Sequence, residues 1–141
     1  MVATAAISDP NTRERPYSIL VTDDDRGSRE TLAGVLAGQG FATKTASSGE
    51  EAIDIVRVET VHLLVFDQHM PRMTGLEALQ QVRVFNALLP ALLVTADATR
   101  DVIEQARQAQ VYSVLPKPVN TSLLLHMLRR ALSTAYGGPV N

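Results

Sequence analysis

The sequence predicts a doubly wound α/β fold, an open parallel five-stranded sheet with five helices distributed over both faces. Three observations carry that expectation. Five short apolar runs of strand length recur along the chain, the stretches between them have helical spacing, and several of those stretches open on a capping motif or close on glycine. Strand and helix alternate five times, and with right-handed crossovers such alternation gives a doubly wound sheet.

The runs are Tyr17 to Thr22, Phe41 to Thr45, Val61 to Phe66, Ala91 to Thr95 and Tyr112 to Leu115. Three of them are apolar nearly throughout rather than alternating, as strands covered on both faces by helices should be. The first helix is expected from about Ser28 through Leu32, Val35 and Leu36, stopped by Gly38 and Gly40. The second and third open at Ser48-Gly49-Glu50-Glu51 and Thr74-Gly75-Leu76-Glu77. Both match the capping box, in which a hydroxyl and a carboxylate three residues later satisfy exposed backbone amides. Apolar positions follow at Ala52, Ile53 and Val56, and at Leu76, Leu79 and Val82. The fourth helix is expected from about Thr99 to Ala109, and the fifth from about Thr121 to Ala135, ended by Gly137-Gly138.

The 141 residues are enough for one self-supporting core. At 45% hydrophobic and 20% charged, the chain has the composition of an ordinary globular domain. Thirteen Lys and Arg against 15 Asp and Glu leave a formal charge of -2, too little basic field to hold a nucleic acid or an anionic membrane. The absence of cysteine removes disulfides, thiolate zinc sites and thiol catalysis, and fits a reducing cytoplasm. Residues 1–16 lack the layout of a secretory signal and read as a flexible tail, with 136–141 as a second tail and 17–135 as the domain. No apolar run approaches the roughly 20 residues needed to span a bilayer.

In doubly wound folds the ligand site lies beyond the carboxyl ends of the strands, near the reversal of strand order. Asp23-Asp24-Asp25 stands at the end of the first strand and Asp67 at the end of the third. Carboxylates crowded there repel one another, raise a pKa or are neutralised by a divalent cation, and hard oxygen ligands favour magnesium. Asp25 reads as a solvated turn residue and helix N-cap, whereas Asp23 and Asp24 face Asp67 and Lys117. The fourth strand ends Val94-Thr95-Ala96 and the fifth Leu115-Pro116-Lys117-Pro118. Singly, Thr95 is a plain strand residue and Lys117 a surface cation. Together with the acids they place nucleophile, metal ligands, hydrogen-bond donor and counter-charge around one concavity, the equipment for phosphoryl transfer.

On these residues the sequence resembles the receiver domain of two-component response regulators, the family of the chemotaxis regulator, over about Tyr17 to Ala135. The matching segments are Ile19 to Asp25, Asp67 to Gly75, Thr95-Ala96 and Lys117-Pro118. The resemblance implies a flavodoxin-like strand order 2-1-3-4-5, and a signalling switch rather than an enzyme. It implies Asp67 as phosphoacceptor, with Mg²⁺ ligated by Asp24, Asp67 and the backbone carbonyl of His69 and held by Asp23 through water. Lys117 would pair with the carboxylate and then with the phosphoryl group, whose oxygens the Thr95 hydroxyl and the Ala96 amide would bind. A cis Lys117-Pro118 peptide is expected. The donor would be a histidine kinase or histidine phosphotransfer protein, and output would run through the face of the fourth helix, fifth strand and fifth helix, to a second copy or a downstream effector.

Two positions depart from the family pattern. Val114 stands where many members carry an aromatic that swings inward, which puts an aromatic gate in doubt, and Gln110-Val111 replaces Gly-Ala, suggesting a less tightly turned approach to the fifth strand. Of the three histidines, His62 and His126 read as structural or surface residues, while His69 and Asp97 flank the site and are candidates for tuning phosphoryl lifetime.

Three rival readings differ in what they require. A Mg²⁺-dependent phosphohydrolase with an aspartyl nucleophile needs a second acid, commonly two residues on where this chain has His69, and usually a cap insertion. A flavin-binding electron carrier needs a Ser/Thr/Gly-rich phosphate loop where three aspartates stand. A degenerate receiver acting only as an interaction module would not keep the acids, threonine and lysine together.

Overall fold

The computed structural model describes residues 15–137; most of both expected tails lies outside the described residues. The chain runs β1 Ser18–Thr22, α1 Arg26–Gly38, β2 Ala42–Ala46, α2 Gly49–Val58, β3 Leu63–Asp67, α3 Gly75–Phe85, β4 Ala91–Thr95, α4 Arg100–Gln108, β5 Ser113–Pro116 and α5 Thr121–Tyr136. All four strand pairings are parallel and the order is β2-β1-β3-β4-β5. The order therefore reverses at β1, and the carboxyl ends of β1 and β3 lie side by side there.

Each sheet face has its own core. Ile19, Val21, Leu63, Val65, Leu92 and Val94 pack under α1 and α5, against Leu36, Leu124, Leu128 and Leu132. Leu20, Leu64, Phe66 and Leu93 pack under α2, α3 and α4, against Ile53, Val56, Leu76, Leu79, Val82 and Ala106. Parity decides this: neighbours in a strand point to opposite faces, so a strand covered on both sides must be apolar at every position. The burial of every residue of β3 and β4 follows.

The strands keep the expected order; the fourth has the expected limits and the others differ by at most two residues at an end. The first helix begins at Arg26, two residues before the expected Ser28, because Asp25 is its N-cap and accepts the Ser28 amide at 2.8 Å. The Thr74–Glu77 capping box closes in both directions. The Ser48–Glu51 box is only half made: Ser48 Oγ accepts the Glu51 amide, but the Glu51 carboxylate binds the amide and hydroxyl of Ser47 instead of the N-cap amide.

The expectation of a looser turn before the fifth strand is overturned. Gln110 takes φ +61, and the Gln110 and Val111 amides donate to Arg107 and Ala106 carbonyls, so the helix ends in the tight left-handed turn that glycine usually supplies. The half-buried Arg83 guanidinium holds the turn from outside, donating to the carbonyls of Ala109, Gln110 and Leu89.

Candidate functional site

Each loop that follows β1, β3, β4 and β5 at the carboxyl edge contributes to one concavity. The β1 backbone delivers Asp23, buried, and Asp24, exposed; β3 ends in the buried Asp67. A carboxylate oxygen from each of Asp23, Asp24 and Asp67 lies within 4.8 Å of the others. Lys117 comes from the end of β5, its Nζ 3.1 Å from Asp67 Oδ2 and 3.7 Å from Asp23 Oδ2. Three carboxylates thus cluster beside one ammonium that pairs with two of them, and the remaining negative charge suits a small divalent cation with oxygen ligands. The donor set fits magnesium.

Burial raises the Asp23 carboxyl above its ordinary value, against the lowering pull of the Asp25 amide on Oδ1 and of Lys117. For Lys117, burial alone would lower the ammonium. The hydrogen bond and charge of Asp67, helped by Asp23, outweigh it and raise the group, so the lysine stays protonated. Asp25 is held low, first by the Ser28 amide it accepts. It therefore serves the helix rather than the cluster, as its sequence context suggested.

Thr95 is fully buried; its Oγ1 accepts the Asp97 amide at 3.1 Å and its carbonyl accepts the Lys117 amide at 3.0 Å. The hydroxyl-bearing and lysine-bearing strand ends are thereby fixed to one another. His69 and Ala96 stand exposed on the loops after β3 and β4. The Lys117–Pro118 peptide is cis, as expected. His62 is a structural residue: its Nδ1 accepts the Ser18 amide at 2.9 Å at the opposite end of the sheet, and its ring packs edge-on against the stacked pair Tyr17 and Tyr136. His126 is exposed on α5. Val114 packs against the core under α4, and the nearby Tyr112 donates its amide to Ala91 at the other end of β4. Neither side chain supplies an aromatic gate beside Thr95.

Three supporting residues escaped the sequence reading. A Cβ at Gly75 would lie 2.4 Å from the Asp67 carbonyl oxygen and 2.4 Å from the Phe66 ring, so α3 can start this close to the β3 terminus only without a side chain. Gln68, buried, donates its amide to Val94 and accepts the Leu76 amide on its side chain, locking the segment after Asp67 between β4 and α3. Arg29 Nη1 donates to the Asp23 carbonyl at 2.8 Å, pinning the β1 end from α1. The first had a sequence signal, a glycine in the first turn of a helix just beyond the acid; the other two had none.

The family profile of the response regulator receiver domain matches residues 19–129. This chain belongs to that family. It is a phosphorylation-activated switch of two-component signal transduction, in keeping with its clustered acids. Among curated proteins it is 33% identical over 113 residues to the DNA-binding transcriptional regulator NtrC of Klebsiella pneumoniae, covering 80% of this chain and 24% of that protein. It is 37% identical over 120 residues to response regulator MprA of Mycolicibacterium vanbaalenii, covering 83% of this chain and 51% of that one. The receiver thus spans between a quarter and about half of these relatives. Among solved structures, chemotaxis protein CheY4 of Vibrio cholerae superposes with TM-score 0.79 at 26% identity, over 82% of this chain and 98% of that one. A CheY-like receiver of Methanospirillum hungatei reaches TM-score 0.82 at 24% identity, over 85% and 96%, and shares the fold. Among the described residues no helix is long and apolar enough to cross a membrane.

Proposed function

We propose that Asp67 is the phosphoacceptor, and the pairing of its carboxylate with Lys117 inside the acid cluster is the observation that carries this reading. A carboxylate oxygen of Asp67 attacks the phosphorus of a phosphohistidine; the P–N bond breaks, its electron pair stays on the donor imidazole, and an aspartyl phosphate forms. Lys117 balances charge on the carboxylate before transfer and on the phosphoryl oxygens after it. The Thr95 hydroxyl and the Ala96 amide would donate to those oxygens. Asp24, Asp67 and the His69 carbonyl would hold Mg²⁺, with Asp23 acting through water; when bound, the ion neutralises charge between nucleophile and phosphoryl group. Exposure to a small phosphodonor with Mg²⁺ should add one phosphoryl group to the intact mass, and Asp67→Asn should abolish it. Equal labelling of that variant would refute the assignment.

The donor on this reading is a histidine kinase or histidine phosphotransfer protein in the cytoplasm, and the domain acts on no separate substrate. Output is assigned to the α4–β5–α5 face, to which Ile103, Tyr112 and Leu123 contribute large apolar side chains 45%, 37% and 37% exposed. Most of the wide apolar stripe of α5 is covered, since Leu124, Leu128, Ala131 and Leu132 are buried and Met127 packs on the core. Leu123 is the residue left for a second copy or an effector. Leu123→Gln should weaken phosphorylation-dependent association in light scattering while leaving Asp67 labelling intact.

A further inference from the structure

A groove of about 450 Å³ opens beside the acid cluster, between the first turns of α1 and the connection from β5 to α5. Its walls are aliphatic: Val21, Val65 and Val94 on the sheet, Leu32 and Val35 on α1, and Val119 on the connection. The space exists because α1 commits only Leu36 fully to the core, near its far end. The sheet side chains below are valines, too short to fill the gap. A volume of this size with an apolar floor and a few convergent polar groups is that of a small-molecule site.

The charge at the rim selects the ligand. Among the described residues, Asp23, Asp25 and Asp67 reach the groove, against Lys117 alone, and that lysine is already engaged by two of the three carboxylates. An anionic head would meet net negative charge with no free cation. We infer that the groove binds a small amphiphilic amine, its apolar body of on the order of ten non-hydrogen atoms on the valine floor and its protonated nitrogen at the acidic rim. Because the amine and a divalent cation both draw on Asp23 and Asp67, each weakens the other by the same factor. Such a ligand would oppose loading of the metal and so damp the switch.

Hexylamine, hexanol and hexanoate, equal in apolar length and different in charge, are the probes. Each is titrated into the isotope-labelled chain while backbone amide shifts are followed, with and without saturating Mg²⁺. Hexylamine should shift Leu32, Val35 and Val119 and bind at least about fivefold more tightly than hexanol, a factor that corresponds to one partly exposed charge contact. Mg²⁺ should erase that preference. Val35→Phe fills the groove and should block hexylamine while leaving the Mg²⁺ titration unchanged. Asp25→Asn keeps the capping oxygen, removes one rim charge, and should reduce the amine-to-alcohol ratio even where the larger substitution proves unstable. Equal binding of all three probes would reveal an unselective apolar surface, and binding of none would mean that only a macromolecule fills the groove; either overturns the inference. No phosphodonor enters the experiment, so its outcome is independent of the Asp67 assignment.

Discussion

Gly75→Ala tests how the site is supported. The added methyl carbon would sit 2.4 Å from the Asp67 carbonyl oxygen, 2.4 Å from Phe66 Cδ2 and 2.8 Å from Cε2. An ordinary contact is about 3.5 Å or more, so the α3 terminus and the β3 terminus must part by roughly 1 Å. Neither obstacle yields easily, because one is the backbone of Asp67 and the other a ring 2% exposed. Overpacking of this kind costs about 1–3 kcal/mol, and the upper end applies where backbone must move. The same substitution at Gly34 meets nothing within 4 Å in the exposed middle of α1, and there alanine should stabilise by about 0.5–1 kcal/mol. Urea denaturation reads both variants: with a slope of about 1–3 kcal/mol per molar, Gly75→Ala should lower the midpoint by about 1–2 M and Gly34→Ala should raise it slightly. Phosphodonor labelling of Gly75→Ala should slow as well, since Asp67 is displaced. Wild-type stability together with wild-type labelling in Gly75→Ala would refute the claim that a bare backbone is what lets α3 approach the acid.

Asp24→Ala should weaken Mg²⁺ binding far more than Asp25→Ala, because Asp25 is committed to the α1 cap; comparable Mg²⁺ affinities by calorimetry would remove that distinction. Mg²⁺ affinity should fall as pH is lowered through a window lying above the ordinary 3.8 of an aspartate, because the raised Asp23 carboxyl takes up its proton early and the site then loses a negative charge that favours the metal. The same group favours the folded state at low pH and loses that contribution as pH rises through the window, so an acid-side gain in metal-free stability accompanies the loss of metal. Gln110→Gly should stabilise by about 1 kcal/mol in thermal or urea unfolding, since it relieves a left-handed backbone while keeping the carbonyl that Arg83 binds. Substituting His69 or Asp97 should change the decay rate of the phosphoryl group more than its yield, because both stand exposed at the rim.

The fold was legible because burial on both faces forces continuous apolar strands, and helix caps announce themselves with hydroxyls and carboxylates at fixed spacing. The acids, Thr95 and Lys117 were legible because they stand at strand ends, where topology alone gathers them. What escaped was whatever depends on distance between backbones. The contact of Gly75 with β3 has no periodicity, and the Arg29 and Arg83 guanidinium bonds to carbonyls leave no pattern in the residue types. Gln110 misled for a related reason: a missing glycine suggested a looser turn, yet arginine-to-carbonyl bonds from a distant helix hold an L-residue in the left-handed region.

With Val114 in place of an aromatic, the signal on the proposed reading leaves the site through Thr95 itself, and the hydroxyl has the valence to carry it. One proton and two lone pairs let Oγ1 keep the Asp97 amide as acceptor while donating to a phosphoryl oxygen, so the loop before α4 is drawn along with the hydroxyl. That helix is poorly anchored: Ala106 is its one fully buried residue, so it can shift at little cost to the core. Thr95→Ser keeps the bridge and should retain phosphorylation-dependent change at α4, read by amide shifts over 97–108. Thr95→Val keeps the shape, loses the bridge, and leaves the Asp97 amide without its acceptor. It should still label at Asp67 yet uncouple labelling from the α4 response. A full α4 response in labelled Thr95→Val would show that the signal leaves by another route.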